Sequence, residues 1–477
     1  MIKNQTTTHK ILIITLLLSL FILLTSVSGV HAAKTVYVNA TGGNDSNDGS
    51  IDHPYQTIDQ AMKNVDVNGT VKIADGTYKG KGNVNLTISK NMNFIGQHQK
   101  KTIINGENST QVFIIDKGVT VTLQNLTITN GTGIISNSSF YLGGAVYNGG
   151  TLTVKHCSFI SNTGNYAGAI YNDGTLSLKY CTFKNNIAIT RGGAIYNGGT
   201  LNVSGCIFTD NNAGHDGAAF YNSGITNVNG CTFTGNNACN EGAICTQVNS
   251  ITTAHFNRFV NNTAKKGNAI CCNGGSVDAK YNWWGSNTNP KNIINLIAGK
   301  VDNVDSDSWL VLTITPHKNS IDAGGKTVVT VDLLHDCNGV YHDPANGHVP
   351  DGIIVTFSAS NGTLNPITTE LVNGSAVTTL TAKSEGKSII QATIDNQTVS
   401  TEVTVNPVKP TPVDPVKPTP VKPVPVKPDT PNSNDNGTQP GTVHAASTIG
   451  LQKTGVPLNG LLLGLIMVFG AFGLRRK

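Results

Sequence analysis

The sequence predicts an all-β protein, a parallel β-helix (solenoid) followed by an immunoglobulin-like β-sandwich. Two short motifs that return together about every 25 residues predict the β-helix, and alternating strand-like segments after the last repeat predict the sandwich. Only 13% of the 477 residues are charged and the net charge is +5. Because no block of Lys and Arg stands outside a Pro-rich segment, a nucleic-acid partner is not expected.

Residues 1–32 have the charged, apolar and small-residue order of a secretory signal peptide. Lys3 and Lys10 precede an apolar run from Ile11 to Leu24, and small residues follow. An uncleaved membrane anchor is the alternative interpretation, although this run is short for a full bilayer crossing. We expect export of the protein and removal of this segment.

Residues 33–306 are predicted to form the β-helix with an N-terminal cap. The first motif is Gly-Ala-Ile-Tyr-Asn or a variant of it, and its alanines are 24, 25, 25, 24 and 26 residues apart: Ala145, Ala169, Ala194, Ala219, Ala243 and Ala269. The second motif, Phe-x-x-Asn, keeps the same step: Phe159, Phe183, Phe208, Phe233 and Phe259. So short a repeat cannot close a core alone, so coils must stack on their neighbours. A leucine-rich solenoid would need helix-compatible stretches, and these repeats contain none.

The spacing within a coil predicts where side chains and turns lie. Four side chains of one coil are expected to face the core: Leu152, Val154, Cys157 and Phe159. The Asn of Phe-x-x-Asn is expected at a turn, with its amide bonded to the next Asn along the stack. Glycine pairs such as Gly149-Gly150 and Gly198-Gly199 are expected to supply positive φ angles for other turns.

Earlier segments extend the array and cover its open end. Leu86 to Ile88, Met92 to Phe94 and Val121 to Ile128 repeat the apolar spacing of the later coils. Before them, the sequence from Thr57 to Gln60 reads as a helix capping box, followed by apolar residues on one helical face. We expect a short helix that covers the hydrophobic end of the solenoid.

The two motifs at this step resemble the repeats of polymorphic outer-membrane-type autotransported surface proteins. The whole layout resembles the adhesin-like surface proteins of methane-producing archaea, in its opening from Val38 to Asp45 and in Asn282-Trp283-Trp284-Gly285 at the end of the array. The resemblance covers nearly the full chain. It implies a right-handed β-helix, surface display and an adhesive role, and it carries over no catalytic residue. We expect no cofactor and no metal.

Residues 307–406 are predicted to form the immunoglobulin-like sandwich, which resembles the modules of invasin-type stalks. Six of its segments alternate apolar and polar residues as strands do: Leu310 to Ile314, Thr327 to Leu334, Ile353 to Ser358, Ala376 to Thr381, Ile389 to Ile394 and Val399 to Val405. Residues 407–450 form a Pro-rich linker, with eleven prolines between Pro407 and Pro440. We expect a stiff polyproline II spacer roughly 75 Å long.

Residues 451–477 predict attachment at the cell surface. An apolar stretch from Val456 to Leu474 ends in a basic tail and is roughly long enough to span a bilayer. A sorting-like motif precedes it: Leu451, Gln452, Lys453, Thr454 and Gly455. The motif resembles the signal of sortase substrates, but Gln452 stands where those have Pro. A retained transmembrane helix and transfer to a cell-wall polymer both remain open.

Aromatic residues supply the candidate glycan contacts: Tyr147, Tyr171, Tyr196 and Tyr221. If the apolar residue before each of them points inward, these rings form an outward strip that could stack on sugar rings. A ladder that merely stiffens the sheet is the alternative. The pair Trp283-Trp284 is interpreted as a plug over the last coil, with a sugar platform as the alternative. Sequons mark potential glycosylation sites: Asn85, Asn125, Asn202, Asn261, Asn361 and Asn396 among them.

Four cysteines recur at one position of consecutive coils: Cys157, Cys181, Cys206 and Cys231. We expect an inward stack of free thiols, because a line of sulfurs does not suit a tetrahedral metal. Cys245 and Cys271 stand in the tyrosine position of later coils, and Cys272 follows. A disulfide or a metal site at these three residues stays open.

The predicted function is that of a non-catalytic, adhesin-like protein of the cell surface. Its expected partners are glycans or surfaces of other cells, its own wall polymer and, through the C-terminal segment, the membrane. Polysaccharide cleavage is one alternative, since many parallel β-helices act on such substrates, and Asp210 and Asp216 bracket a turn with Arg191 one coil away. A purely structural wall protein is the other alternative.

Overall fold

The structure is a computed structural model that describes residues 33–133, 142–299 and 303–408. The predicted signal peptide, most of the Pro-rich linker, the sorting-like motif and the C-terminal apolar stretch lie outside the described residues. Within them the chain is all-β, and most of it is a parallel β-solenoid. The predicted fold class of the repeat region is therefore confirmed.

The described coils contribute to three long parallel sheets. The first contains eleven strands: Thr35–Val38, Gly69–Ile73, Met92–Gly96, Thr120–Gln124, Thr151–Lys155, Thr175–Lys179, Thr200–Ser204, Ile225–Asn229, Ile251–His255, Ser276–Asp278 and Val304–Asp305. The second contains eight: Gly76–Lys79, Thr102–Asn105, Thr127–Thr129, Ser158–Ile160, Thr182–Lys184, Ile207–Thr209, Thr232–Thr234 and Arg258–Val260. The third contains nine: Leu86–Ile88, Phe113–Ile115, Val146–Asn148, Ile170–Asn172, Ile195–Asn197, Phe220–Asn222, Ile244–Thr246, Ile270–Cys272 and Ile297–Ala298.

A fourth, shorter parallel sheet lies between the second and third sheets in four successive coils. Its four described strands are Thr163–Tyr166, Ile187–Arg191, Asn212–Ala213 and Asn237–Ala238. A 3-10 turn, Pro290–Asn292, precedes the last strand of the third sheet, Ile297–Ala298.

Equivalent residues of successive coils pair in register and form ladders. Leu152 pairs with Leu176, and Phe159 pairs with Phe183, so like side chains meet above and below. The rings of Phe159 and Phe183 stack with centroids 4.8 Å apart. Leu152, Val154, Cys157 and Phe159 are all fully buried, which confirms the predicted inward face. Like residues in register let one coil sequence fill the core at every level.

The Asn of Phe-x-x-Asn forms a buried ladder at the predicted turn. The side-chain amide of Asn162 donates to Asn186 Oδ1 at 3.0 Å, and that of Asn186 donates to Asn211 Oδ1 at 2.9 Å. Each side chain also donates to a main-chain carbonyl of the preceding coil, as Asn186 Nδ2 does to Phe159 O at 2.9 Å. The predicted amide ladder is confirmed, and it satisfies polar groups that are sealed from water.

The predicted role of the glycine pairs is wrong. Neither Gly149-Gly150 nor Gly198-Gly199 contains a residue with positive φ. A Cβ added to Gly199 would lie 2.1 Å from the carbonyl oxygen of Gly174, so it is the close approach of neighbouring coils that requires glycine here. The positive φ falls instead on the residue before the Gly-Ala step, as at Gly192 with φ of 73°.

A short helix, Ile58–Asn64, lies at the N-terminal end of the solenoid as predicted. Thr57 Oγ1 accepts from the main-chain N–H of Gln60 at 3.3 Å, which forms one half of the capping box. The other half of the capping box, from the Gln60 side chain to the main chain of Thr57, does not form, because the Gln60 amide donates to Asp45 O at 3.0 Å. Ile58, Ala61 and Met62 are buried in the solenoid core, so the helix covers the hydrophobic end.

Residues 310–406 form two sheets that share a second hydrophobic core. The four-stranded sheet contains Leu310–Pro316, Lys326–Asp336, Ser375–Thr381 and Thr363–Asn365. The five-stranded sheet contains Ser320–Asp322, Gln397–Asn406, Gly386–Ile394, Ile354–Ala359 and Thr368–Glu370. All pairings are antiparallel except that of Ser320–Asp322 with Gln397–Asn406. A 3-10 turn, Pro344–Asn346, lies in the loop after Asp336.

Candidate functional site

The four predicted tyrosines form one continuous stack on the outer side of the third sheet, here called the tyrosine column (Tyr147, Tyr171, Tyr196, Tyr221). Neighbouring ring centroids are 5.8, 4.7 and 4.9 Å apart, and the interplanar angles are 16°, 5° and 26°. The apolar residue before each tyrosine is fully buried, which confirms that the tyrosines point away from the core. The first three rings are half-buried, and Tyr221 is only 5% exposed.

This stacking limits how the column can contact a sugar. Both faces of the Tyr171 ring pack on the neighbouring tyrosines, so a sugar ring cannot lie flat on it. Tyr147, Tyr171 and Tyr196 stay partly exposed at their outer edges, and they follow each other at the coil rise of about 4.8 Å. The Tyr147 hydroxyl donates to Asp173 Oδ2 at 3.1 Å. Burial raises the pKa of Tyr171 well above its usual value and that of Tyr221 to about 12, so these hydroxyls stay protonated donors.

A second column of polar residues runs beside the tyrosines, here called the charged column (Tyr166, Arg191, Asp216, Glu241, Lys266). Its members are in-register partners on successive coils. Arg191 Nε donates to Asp216 Oδ2 at 3.2 Å, and its guanidinium lies 5.0 Å from the ring centroid of Tyr221. The Arg191–Tyr221 contact joins the two columns through a cation–π interaction.

Further along the solenoid, both columns change chemistry. Cys245 and Cys271 continue the tyrosine column as in-register partners. Cys245 Sγ lies 3.0 Å from Glu241 Oε2, to which it donates, and burial together with this carboxylate raises the pKa of the thiol strongly. Burial likewise raises the pKa of Cys271 to about 12. Among the described residues no group of three or more His, Cys, Asp or Glu is arranged to hold a metal ion.

The cysteines of the earlier coils lie in one buried column as predicted. Cys181 N donates to Cys206 Sγ at 3.3 Å, and Cys206 N donates to Cys231 Sγ at 3.4 Å. The same position continues as Asn257 and Asn282, whose amides bond each other. Each cysteine therefore fills a core position, and Cys206 and Cys231 each accept from the preceding coil. Burial raises the pKa of Cys206 well above its usual value.

The two adjacent tryptophans are buried and cannot serve as a sugar platform. Trp284 is 4% exposed and stacks on Phe259, with centroids 5.0 Å apart. Trp283 is fully buried in the second core, and its Nε1 donates to Asp395 Oδ2 at 2.7 Å. One ring thus caps the solenoid core and the other joins the core of the following sheets. This geometry agrees with the interpretation of the tryptophan pair as a plug over the last coil.

The five acids of the repeats between residues 143 and 285 do not form one cluster. Asp216 and Glu241 are in-register neighbours, while Asp173 accepts from Tyr147. Asp210 occupies an exposed turn with φ of 55°, and Asp278 lies 3.0 Å from the His255 ring. The predicted Arg191–Asp216 proximity is an ion pair, whereas Asp210 makes no ion pair among the described residues.

Sequence reasoning missed the charged column as a unit. A signal for it existed, because its members are each 25 residues apart in the sequence: Tyr166, Arg191, Asp216, Glu241 and Lys266. The residue types differ from coil to coil, so a search for a repeated motif passes over them. Only the register of the coils shows that they share one line.

One family model matches the chain. It is described as the Chlamydia polymorphic membrane protein repeat, and it matches residues 180–198. This segment contains Phe183-x-x-Asn186 together with Gly193-Ala194-Ile195-Tyr196 and therefore covers most of one coil. Together with the solenoid, the match fits a surface protein built from repeats of the polymorphic type. No curated protein matches the chain.

Solved structures give partial similarities. A C-terminal fragment of intimin in complex with the intimin-binding domain of its translocated receptor matches at 26% identity, over 20% of this chain and 32% of that fragment, with a TM-score of 0.16. The chain thus spans about a third of that fragment. A lacto-N-biosidase from Eubacterium ramulus matches at 11% identity, over 58% of this chain and 68% of that one, with a TM-score of 0.32.

Among the described residues no helix is long and apolar enough to cross a membrane.

Proposed function

We propose that the protein is a non-catalytic, adhesin-like surface protein that binds glycans of other cells or of its own wall along the outer face of the solenoid. The observation that carries the proposal is the tyrosine column beside the charged column. Together they present hydroxyls, a guanidinium and carboxylates at a regular step on a rigid scaffold. Such a strip suits an extended polymer with repeated hydroxyl groups better than a compact small molecule.

Other features support display at a surface. The matched repeat belongs to a family described as membrane proteins, and its motif recurs through the solenoid. We further propose that the two C-terminal sheets are an immunoglobulin-like module that, with the Pro-rich linker, projects the solenoid outward. Their antiparallel pairing around one core supports this assignment. Export by residues 1–32 and attachment through residues 451–477 complete the proposal.

Replacement of two column hydroxyls tests the glycan contact. Because ring faces are occupied, the double variant Tyr171→Phe/Tyr196→Phe keeps the stack and removes only the hydroxyls. We expect retention of the full chain on a glycan array to weaken about 5-fold or more, since each of the two lost hydrogen bonds contributes about 0.5–1.5 kcal/mol. The control is Tyr37→Phe, which changes a half-buried ring on the first strand.

Two results would contradict the proposal. Unchanged binding by the double variant would remove the tyrosine column from the contact. Absence of retention on any glycan or cell by the unaltered chain would favour a purely structural role.

Polysaccharide cleavage is a second candidate because Asp216 and Glu241 are in-register neighbours. In-register residues on parallel strands lie about 4.8 Å apart, near the separation of about 5–5.5 Å for the carboxyl groups of retaining glycosidases. Both carboxylates already have donors, Arg191 for Asp216 and Cys245 for Glu241, which favours a structural role. Product release that Glu241→Gln abolishes would support cleavage.

A further inference from the structure

A column of left-handed residues marks the corner between the first and second sheets. Their φ values lie between 50° and 60°, and we call them the corner column: Asn125, His156, Tyr180, Gly205, Gly230, Phe256 and Tyr281. Four of the seven are aromatic, and they stack in two pairs. The rings of His156 and Tyr180 are 5.2 Å apart, and those of Phe256 and Tyr281 are 5.6 Å apart. Gly205 and Gly230 interrupt the stack between the pairs.

The two glycines leave the second face of Tyr180 without a stacked aromatic neighbour. His156 covers the other face at an interplanar angle of 15°. A Cβ added to Gly205 would lie 2.7 Å from Cδ1 and Cε1 of Tyr180, so one edge of the ring lies over this glycine. The Tyr180 side chain is nevertheless 62% exposed. An aromatic ring this exposed on a rigid corner contributes little to the core and is available to a ligand.

The loop after the second strand of the four-stranded sheet forms the opposite wall. The carbonyl oxygen of His348 lies 3.5 Å from the position of a Cβ added to Gly230. Between this loop and the corner column runs a groove of about 770 Å³, here called the corner groove. Its lining includes Tyr180, Ile207, Asn229, Asn346, Asp351 and Asn373. The volume lies within the range of about 300–1,000 Å³ that is common for ligand sites.

The lining combines one aromatic platform with polar groups that are held in place. Asp351 Oδ1 accepts from the main-chain N–H of Asn373 at 2.8 Å and lies 3.7 Å from His348 Nδ1. Asn346 and Asn373 are exposed residues of two different loops, and each adds a side-chain amide to the lining. An apolar ring face, amides and one carboxylate match the C–H face and the hydroxyls of a sugar. The carboxylate disfavours an acidic sugar.

We propose that the corner groove binds a short neutral oligosaccharide, with one sugar ring packed on the free face of Tyr180. Here the ring face is accessible, in contrast to the tyrosine column, where neighbouring rings cover both faces. The inference deepens the proposed glycan-binding function, on which it rests for the class of ligand. It adds a second, geometrically different contact at the junction of the solenoid and the C-terminal sheets.

Two substitutions in the corner column test the groove, and each is expected to weaken binding for a different reason. Tyr180→Ala removes the platform, and Gly230→Asn fills the floor with a residue that tolerates this backbone, as Asn125 does in the same column with φ of 56°. The probe is a set of neutral disaccharides to tetrasaccharides of glucose, galactose, mannose and N-acetylglucosamine. Binding to the purified full chain is measured by saturation-transfer NMR and calorimetry. The matched control is Asn125→Gly, which changes the same column two coils away from Tyr180 and outside the groove, at a positive φ that glycine adopts freely.

We expect binding to weaken about tenfold or more in both Tyr180→Ala and Gly230→Asn, and to stay within about twofold in Asn125→Gly. Melting temperatures close to that of the unaltered chain show that each variant folds. Binding that both groove variants retain would overturn the inference. If Tyr171→Phe/Tyr196→Phe alone weakens binding, the proposed function stands and the corner groove is refuted. If the unaltered chain binds no probe, the corner groove is also refuted, while the array experiment still decides the proposed function.

Discussion

At the scale of single residues, the buried asparagines show how one polar side chain can join three coils. Asn186 accepts from the main-chain and side-chain N–H groups of Asn162 and donates to Phe159 O and Asn211 Oδ1. It is fully buried, so water cannot replace these partners. The ladder therefore fixes the turn and the register of coils at the same time.

We expect Asn186→Ala to lower the free energy of unfolding by about 3 kcal/mol or more. The substitution leaves several buried polar groups unsatisfied, and each costs about 1–3 kcal/mol. Urea denaturation of the two proteins measures the difference. The control is Lys184→Ala, an exposed position of the same coil that should change stability by less than about 0.5 kcal/mol. Equal losses in both variants would contradict a special role for the ladder.

Tyr78 predicts a pH dependence of stability. The ring is fully buried, its hydroxyl lies 3.0 Å from Ala74 O, and burial raises its pKa from 10.0 to about 12. The folded protein thus favours the neutral phenol. This contribution is complete below about pH 10 and is lost as the pH rises through the pKa of the folded state.

Between about pH 9 and pH 11, we expect Tyr78→Phe to lose about 1 kcal/mol less unfolding free energy than the unaltered chain. At neutral pH the variant should be less stable by about 1 kcal/mol, because a buried hydrogen bond is lost. Urea titrations at each pH measure both quantities. The same slope in the two proteins would show that folding does not raise the pKa of Tyr78.

Ladders made of one residue type that recurs at a fixed step were predictable from the sequence. Columns whose members differ in type and share only their position in the coil were not. The Asn ladder and the inward Phe and Cys positions follow from repeated identities. The glycine pairs were misread because a glycine needed for close approach looks the same in sequence as one needed for positive φ. The corner column mixes Asn, His, Tyr, Gly and Phe, so only its shared backbone conformation identifies it.

At the scale of elements, a buried ion pair joins the solenoid to the sheets that follow. Arg258, on the last described strand of the second sheet, donates through Nε to Asp395 Oδ2 at 3.0 Å. Trp283 Nε1 donates to the same oxygen at 2.7 Å. The side chains of Arg258 and Asp395 are only 19% and 10% exposed. The turn between the last two long strands thus contacts the end of the solenoid.

Asp395→Asn is expected to weaken this junction by about 3–5 kcal/mol, because the arginine then remains buried without an opposite charge. Asparagine tolerates the positive φ of this position, so the turn itself should persist. Differential scanning calorimetry should show the C-terminal sheets unfolding at a lower temperature. The matched control is Glu402→Gln, whose partner Lys387 is 70% exposed, and it should cost at most about 1 kcal/mol. A single unshifted transition in Asp395→Asn would contradict the proposed coupling.

The long strands and the capping helix were predictable because their patterns are strong and local. The six predicted strands after residue 307 are all present, with bounds that differ by a few residues. Three shorter strands were not predicted: Ser320–Asp322, Thr363–Asn365 and Thr368–Glu370. Segments of three residues carry too little alternation to be recognised. The second half of the capping box was also beyond prediction, because Asp45, distant in sequence, binds Gln60 instead.

At the scale of the whole molecule, repetition decides which surfaces can bind. A coil that must stack on copies of itself presents each outward residue as a column, so a single exposed tyrosine becomes a strip along the solenoid. Where the columns lose their repeat, at Gly205 and Gly230, a groove opens instead of a strip. Extended contact and a local pocket thus arise from the same architecture.

The central claim is that the molecule binds glycans and does not cleave them. The direct measurement incubates the full chain with a panel of polysaccharides, and retention and newly formed reducing or unsaturated ends are followed in the same samples. We predict retention of at least one polysaccharide with no sustained release of products. Continued product release that Glu241→Gln abolishes would contradict the claim and would identify the protein as an enzyme.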